Sequence, residues 1–314
     1  MILTVTANVA IDRTYEIDHL EVGAVHKVSR VFSHIGGKGV NVSRTLDALH
    51  AKTLITGLIG DATLDEAARE LANAGLSSAL FPVSRATRQT VTVTTEDGTA
   101  TAFDEAGPQI TKAEWTGFEL HFATLLRDAS MVVIAGSLPP GTPNESLANL
   151  CQKANSHRVP VILDARGAAM RAAQNQTPLV AKLNRGELEQ TLGRELTNDD
   201  DLLEAANDLH QMGARNVVVT LGAEGAIGLN ELGVWRVTHP KASGNPIGAG
   251  DAFSAALAMA LLDKQPLEQG LRKGAAAALA SLRAPTAGAL NPDDMQRALP
   301  NIRAQQITKE TAPR

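Results

Sequence analysis

Short runs of aliphatic and β-branched residues alternate along this chain with longer stretches that have helical hydrophobic spacing. Five runs have the length and composition of buried strands: 2–6, 53–58, 131–135, 160–163 and 216–220. Four stretches rich in alanine and leucine have the spacing of amphipathic helices: 64–74, 145–154, 200–212 and 267–282. Strands alternating with helices predict an α/β fold with a doubly wound, mostly parallel sheet and helices on both faces.

Two stretches interrupt this alternation. Residues 12–31 and 90–103 alternate polar and apolar positions, which is typical of strands with one exposed face, and residues 96–98 form a turn signal. We predict that both stretches contribute to a small antiparallel sheet that forms a lid over a site. An ordinary edge hairpin explains the pattern equally well. The polar final segment, 304–314, is expected to be frayed.

Composition narrows the function classes. The chain has 314 residues, which is enough for one large α/β domain or for two small ones, and it shows no low-complexity linker. Aromatic residues make up only 3% and the formal charge is −5, which argues against a nucleic-acid partner or an anionic lipid surface. Cys151 is the only cysteine, so no disulfide within the chain is possible. No apolar run of about 18 residues and no signal-peptide pattern is present, so a cytoplasmic location is expected.

The strongest local motif is Gly248-Ala249-Gly250-Asp251, which precedes the alanine-rich stretch 254–262. Glycines allow a tight turn that presents N–H groups to an anion, and the following helix places its positive end at the same point. Asp251 could accept a proton from an attacking hydroxyl while these amides neutralise a transferred phosphoryl group. For the motif alone, an ordinary turn with Asp251 as a helix cap is the commoner outcome.

A second glycine cluster contains Gly36, Gly37, Lys38 and Asn41. It lacks the spacing of a P-loop, so it does not predict a Walker-type nucleotide site. Small residues that lead into a helix, together with Lys38 and Asn41, suit a hydroxyl-rich or anionic ligand. A glycine turn before a packed helix explains the cluster equally well.

Three further pieces carry candidate chemistry, and two of them, the first and the last, follow predicted strands, where α/β sheets place their ligand-binding loops. They are the run 136–141, the group Lys182, Asn184 and Glu187, and the turn containing Thr220, Gly222 and Gly225. Asn184 and Glu187 lie three residues apart, on one face if the segment is helical. Glu187 could hold a Mg²⁺-bound water, because Mg²⁺ often keeps its waters and uses few carboxylates. Each piece alone is more often structural.

In their order and spacing, these motifs resemble the PfkB, or ribokinase-like, family of carbohydrate kinases over nearly the whole chain. Within the family they are most similar to the 1-phosphofructokinase and tagatose-6-phosphate kinase branch, through the runs 36–41, 87–88, 136–141, 183–188 and 245–246. The resemblance implies a single ribokinase-like domain over 1–314, with lid strands at about 12–31 and 90–103. It also implies ATP and Mg²⁺ as cofactors, and phosphorylation of a primary hydroxyl of a ketohexose phosphate. It also implies a homodimer formed through the lid.

The resemblance assigns roles to residues of this chain. Asp251 is the catalytic base, the amides of Ala249 and Gly250 form the anion hole, and Gly248 completes the catalytic loop. Sugar hydroxyls are expected at Asp12, Gly37 and Asn41, and the substrate's own phosphate at Lys38, Arg88, Ser137 and Lys27. The ATP-binding set is Lys182, Asn184, Glu187, Thr220, Gly222 and Gly225, with Glu187 contacting Mg²⁺ through water.

Departures from the branch concern the substrate pocket. The chain has Thr90 and Thr92 where the branch usually has Asn and Lys, and Asp104 where it usually has Asn. These changes make the pocket less cationic, so a kinase of an unphosphorylated sugar or nucleoside is the main alternative. A non-catalytic sugar-binding protein is disfavoured by the intact Asp251. A Rossmann oxidoreductase is disfavoured because no Gly-x-Gly-x-x-Gly follows the first strand.

Overall fold

The computed structural model describes residues 1–284 and 286–307. Within them the strands are β1 (Ile2–Thr6), β2 (Ala10–Ile17), β3 (Arg30–Gly36), β4 (Thr53–Gly60), β5 (Phe81–Val83), β6 (Arg88–Thr95), β7 (Ala100–Asp104), β8 (Met131–Ala135), β9 (Val161–Asp164), β10 (Val180–Asn184), β11 (Asn216–Thr220), β12 (Ala226–Asn230), β13 (Gly233–Thr238) and β14 (Arg303–Ile307). The helices are α1 (Lys38–Ala48), α2 (Asp61–Asn73), α3 (Lys112–Leu125), α4 (Ser146–Ser156), α5 (Gly167–Ala173), α6 (Arg185–Leu192), α7 (Asp199–Gln211), α8 (Ala249–Leu262), α9 (Leu267–Ser281) and α10 (Pro292–Ala298).

The main sheet has ten strands in the order β14-β13-β12-β11-β10-β9-β8-β1-β4-β5. The seven strands from β11 to β5 are parallel, and β12, β13 and β14 extend the sheet with antiparallel pairs. The predicted doubly wound, mostly parallel α/β fold is confirmed. The segment 303–307 forms an edge strand, so the expectation of fraying is wrong for 304–307. Residues 308–314 lie outside the described residues.

Two large hydrophobic cores cover most of the two faces of this sheet, and a smaller core packs α2 against β4. One core packs α3 to α7 on one face, through residues such as Phe118 and Phe122, and the other packs α1, α8, α9 and α10. Successive residues of β8 enter opposite cores, Val132 one and Val133 the other, as strand geometry requires. Because both faces are covered, the central strands are continuous apolar runs, which made them recognisable in the sequence.

The lid is a separate four-stranded sheet in the order β3-β2-β6-β7. None of its strands pairs with the main sheet in the described residues, so the edge-hairpin interpretation is wrong. The β2–β3 and β6–β7 pairs are antiparallel as predicted, whereas β2 and β6 are parallel. The prediction of an antiparallel sheet is therefore wrong for the central pair. Among the described residues, no helix combines the length and apolar character that a membrane span requires.

Candidate active site

The Asp251 carboxyl lies in the first turn of α8, next to the glycine turn that starts the helix. Gly248 caps α8 with a φ of 84°, in the left-handed region that favours glycine. A side chain there would also collide with Ala287, since a Cβ on Gly248 would lie 2.9 Å from its Cα and Cβ atoms. The turn therefore depends on glycine. The Ala249 N–H, one of the predicted anion-hole donors, donates to the carbonyl of Pro246 at 3.2 Å.

Asp251 is only 5% exposed, and its surroundings raise the pKa of its carboxyl group. Asn41, on α1, donates its side-chain N–H to Asp251 Oδ2 at 2.9 Å. Burial raises the pKa of Asp251 to about 7, and Asp164 adds to this while Lys38, Asn41 and Lys182 oppose it. A carboxyl with a pKa near neutrality can accept a proton at physiological pH, as a general base must.

Beneath this carboxyl lies a buried ionic network centred on Asp164, at the end of β9. Asp164 Oδ2 accepts from Lys182 Nζ at 2.6 Å and from Ser254 Oγ at 2.8 Å, and Oδ1 accepts from Lys38 Nζ at 3.2 Å. Burial alone would raise the pKa of Asp164, but Lys182 and Lys38 outweigh it and hold that pKa below its usual range. Asp164 is therefore a permanent anion in the interior.

Asn184 and Glu187 form a capping box at the start of α6. The Asn184 N–H donates to Glu187 Oε2 at 2.9 Å, and the Glu187 N–H donates to Asn184 Oδ1 at 2.8 Å. The remaining carboxylate oxygen, Glu187 Oε1, accepts from Lys38 Nζ at 2.9 Å. Asn184 and Glu187, whose spacing predicted a shared helix face, thus form the cap of α6. This cap directs the second carboxylate oxygen of Glu187 toward Lys38.

The donor set at Glu187 fits a Mg²⁺ ion held through water. In the part of the chain that is described, no group of three or more metal-ligating side chains occurs, so an all-protein cage is absent there. Each Glu187 carboxylate oxygen accepts one hydrogen bond and keeps a second lone pair, so this carboxylate on the cavity wall can accept from a water of a largely hydrated Mg²⁺.

A cavity of about 340 Å³ lies between the lid and the main sheet, and most of the predicted site residues line it. Of the predicted set it is lined by Asp12, Gly37, Lys38, Asn41, Arg88, Lys182, Asn184, Glu187, Thr220, Gly248, Gly250 and Asp251. Its lid wall is a row of directly paired residues across all four lid strands: His34, Asp12, Thr90 and Asp104. Asp12 Oδ1 accepts from Thr90 Oγ1 at 2.5 Å, and a Cβ on Gly36 would overlap the Asp12 carboxylate.

Arg88 is the cation on the lid side of this cavity. Its Nε donates to the Asn8 carbonyl at 3.1 Å and its Nη1 to the Glu105 carbonyl at 3.2 Å. Burial lowers the pKa of Arg88, and the nearby Asp12, Asp104 and Glu105 oppose that effect. The guanidinium remains charged and keeps free N–H groups for a ligand.

A second cavity of about 420 Å³ adjoins the first and shares Asn184, Thr220 and Gly250 with it. The predicted nucleotide residues Gly222 and Gly225 line it. Its remaining wall is mostly apolar and includes Ala249, Phe253, Ala275, Ala278, Leu279 and Leu282. A polar cavity joined to an apolar one suits a phosphate-bearing ligand with a flat base.

Two predicted substrate residues do not line the first cavity. Ser137 accepts a hydrogen bond from the Asn8 side chain at 3.2 Å, and Lys27 is exposed in the loop between β2 and β3. Sequence reasoning missed Asp164 and His34, which lines the cavity. The available signal was weak: a charged residue closing an apolar strand for Asp164, and a histidine two positions before the Gly-Gly pair for His34.

Residues 5–294 match the description "pfkB family carbohydrate kinase", so the chain belongs to this family. The fold and site thus define a sugar kinase, a phosphotransferase with an alcohol group as acceptor.

Three solved structures show the similarity. Phosphofructokinase-2 from Escherichia coli in complex with fructose-6-phosphate has 28% sequence identity and a TM-score of 0.86, covering 95% of this chain and 98% of that chain. A protein from Thermotoga maritima described as a possible 1-phosphofructokinase has 24% identity and a TM-score of 0.90, covering 98% and 99%. Ribokinase from Arabidopsis thaliana complexed with ribose and ATP has 21% identity and a TM-score of 0.73, covering 95% and 98%. At these identities the last two show the fold alone.

Proposed function

We propose that this kinase transfers the γ-phosphoryl group of ATP directly to a primary hydroxyl of a ketohexose phosphate, of the fructose-1-phosphate or tagatose-6-phosphate type. The observation that carries the proposal is the position of Asp251, buried in the wall of the polar cavity beside the boundary with the apolar one. A sugar under the lid and a nucleotide in the second cavity would meet at Gly250 and Asp251.

In this mechanism Asp251 accepts the hydroxyl proton, and Asn41 holds its carboxylate in place. Proton transfer comes late, because the phosphoryl transition state is loose and needs little activation of the nucleophile. When bound at Glu187 through water, Mg²⁺ supplies charge neutralisation for the phosphate oxygens. Arg88 binds the phosphate that the sugar already carries, and the polar row of the lid binds its hydroxyls. Most of the rate comes from orientation and electrostatic stabilisation.

One observation favours an unphosphorylated acceptor as the second candidate. Asp12 and Asp104 stand in the lid row beside Arg88, and Thr92 lines the cavity where the branch usually carries lysine. Two carboxylates near one guanidinium weaken the attraction for a phosphate dianion. A neutral sugar would instead be held by these carboxylates through its hydroxyl groups.

A coupled ADP-release assay with Mg²⁺ and ATP decides between these acceptors. The panel is fructose-1-phosphate, tagatose-6-phosphate, fructose-6-phosphate, fructose, ribose and adenosine. We expect fast turnover only with a sugar phosphate. Turnover confined to a free sugar or nucleoside would keep Asp251 as the base and would reject the ketohexose phosphate as the acceptor.

The acidity of Asp251 predicts the pH dependence of turnover. Because burial raises its pKa to about 7, the carboxyl loses its function as a base by protonation when the pH falls below that value. We expect kcat at saturating substrates to fall about tenfold per pH unit on the acid side. A kcat that stays flat from pH 7 down to about pH 5 would contradict the assignment.

We also propose a homodimer that forms through the lid. The outer face of the lid and the loop between β2 and β3 expose large apolar side chains. Among them are Val22 (99% exposed), Val25 (98%) and Phe103 (58%). Such a patch is typical of an interface. Sedimentation equilibrium should give twice the mass of the chain, and a monomer at micromolar concentration would contradict the proposal.

A further inference from the structure

The ammonium group of Lys38 is bonded to Asp164 and Glu187, in the cavity that also contains the proposed base Asp251 in its wall. We propose that Lys38 contacts the transferred γ-phosphoryl group of ATP and that Asp164 positions it there, instead of Lys38 holding the phosphate already on the sugar. The inference deepens the proposed function and rests on it, because it names the residue that neutralises the phosphoryl group in that reaction.

Lys38 and Arg88 belong to separate groups of charges. Lys38 Nζ lies 2.9 Å from Glu187 Oε1 and 3.2 Å from Asp164 Oδ1, and the carboxylates that act on its charge are those two and Asp251. The carboxylates that act on Arg88 are Asp12, Asp104 and Glu105, a set with no common member. Hydrogen bonds separate the two cations in the same way, because Lys38 is bonded at the end of β9 and the start of α6, whereas Arg88 is bonded to the carbonyls of Asn8 and Glu105.

Glu187 links Lys38 to the nucleotide side of the site. It forms a capping box with Asn184, which lines both cavities, so the Lys38 ammonium is bonded to a carboxylate held next to the boundary where the two cavities meet. Asp251 lies in the wall of the same polar cavity. The group that crosses this boundary in the reaction is the phosphoryl group.

Asp164 is built to hold this ammonium in place. Its side chain is 1% exposed and that of Lys182 is 3% exposed, so this pair is fixed in the interior. Ser254, one turn into α8, fixes the same carboxylate. The Lys38 side chain is 37% exposed, so its ammonium can turn toward a ligand while Asp164 anchors it. Asp164 is thus a positioning residue that acts through Lys38.

The step conserves charge and protons at Lys38, which remains an ammonium throughout. The bond between the γ-phosphorus and the bridging oxygen of ADP breaks, and a bond from that phosphorus to the sugar oxygen forms. The hydroxyl proton goes to Asp251. Lys38 donates an N–H to a non-bridging oxygen of the phosphoryl group, and this interaction tightens as charge develops there.

Nucleotide affinity tests the role of Lys38 without any sugar. Isothermal titration calorimetry with Mg²⁺ compares AMP-PNP, which carries a γ-phosphoryl group, with ADP, which does not. We expect Lys38→Met to lower the preference for AMP-PNP over ADP by about tenfold or more, the value of a lost charge-assisted hydrogen bond. The matched variant Arg88→Met should leave that preference within about twofold. An unchanged preference in Lys38→Met would overturn the inference.

Steady-state kinetics give the second readout. Lys38→Met should lower kcat about tenfold or more and leave the KM of the sugar phosphate within about threefold, because the contact is made to the transferred group. A KM that rises about tenfold while kcat is kept would show that Lys38 holds the sugar's own phosphate. If no sugar phosphate is a substrate of the wild type, the proposed acceptor fails, whereas the nucleotide titration still decides the role of Lys38.

Chemical rescue distinguishes the loss of the Lys38 ammonium group from a change in the fold. Lys38→Cys can be alkylated with 2-bromoethylamine, which restores an ammonium at nearly the same reach. The native Cys151 is fully buried and burial raises the pKa of its thiol to about 12, so it should not react. We expect alkylation to restore most of the preference for AMP-PNP. No recovery in a folded, fully alkylated protein would contradict a role for the ammonium.

A double-mutant cycle tests the positioning by Asp164. Asp164→Asn should lower the preference for AMP-PNP in the wild type and change it little further in Lys38→Met, because both variants remove one interaction. Additive losses would reject positioning through Lys38. If Asp164→Asn does not fold, Ser254→Ala replaces it, since it loosens the same carboxylate without changing a charge. Its loss should be smaller, in the same direction, and likewise absent in Lys38→Met.

Discussion

Replacing Asp251 with Asn should lower kcat by about 100-fold or more, the loss that is typical of a missing general base. The amide has the shape of the carboxyl and can still accept the hydrogen bond from Asn41, so the site geometry is kept while the proposed proton acceptor is lost. The ADP-release assay at saturating ATP and sugar measures the effect. Turnover comparable to that of the wild type would show that Asp251 is not the base.

The same variant should be more stable than the wild type, which separates loss of catalysis from loss of the fold. The ordinary pKa of this carboxyl is 3.8 and burial raises it to about 7, so the folded state holds the proton more tightly than the unfolded state. The resulting penalty on folding is absent below about pH 4 and complete above about pH 7, where it is on the order of 4 kcal/mol. A thermal melt at pH 8 should therefore show a higher Tm for Asp251→Asn. A lower Tm would contradict the origin assigned to the pKa shift.

Replacing Arg88 with Ala should raise the KM of the sugar phosphate by about tenfold or more and leave the KM of ATP within about twofold. Arg88 lines the cavity on the lid side and is absent from the wall of the apolar cavity that is proposed for the base. A lost charge-assisted contact to a phosphate has this magnitude. Steady-state kinetics with each substrate varied in turn measure both values.

Arg127→Ala is the control for that experiment. Arg127 is exposed in the turn after α3, where Asp128 accepts a hydrogen bond from the amino terminus, and it lines neither cavity. Both KM values should stay at those of the wild type. An unchanged sugar KM in Arg88→Ala would show that Arg88 is not a phosphate anchor and would favour an unphosphorylated acceptor.

The sequence predicted the central sheet well because its strands are buried on both faces. The predicted runs 2–6, 131–135 and 216–220 coincide with β1, β8 and β11, since a continuous apolar run has clear ends. The glycine turn at Gly248 was equally clear, because its backbone conformation excludes other residues. The helix after it begins at Ala249, five residues before the alanine-rich stretch that predicted it.

Long-range pairing is what the sequence pattern could not supply. Parallel and antiparallel strands alternate their faces in the same way, so the pattern of 12–31 and 90–103 could not show that β2 and β6 run parallel. Asp164 was missed because its partners are distant in the chain: Lys182 lies 18 residues away, Ser254 90 and Lys38 126. Only the fold shows that one aspartate joins three motifs.

The central claim is phosphoryl transfer from ATP to a ketohexose phosphate, and phosphorus NMR of the reaction tests it most directly. The wild-type protein is incubated with Mg²⁺, ATP and fructose-1-phosphate, and the spectrum is followed as ADP forms. The proposed function predicts a second phosphomonoester resonance on the sugar, at C6, that grows in equal amount with ADP. Release of ADP with inorganic phosphate, or no reaction with any ketohexose phosphate while a free sugar is phosphorylated, would contradict it.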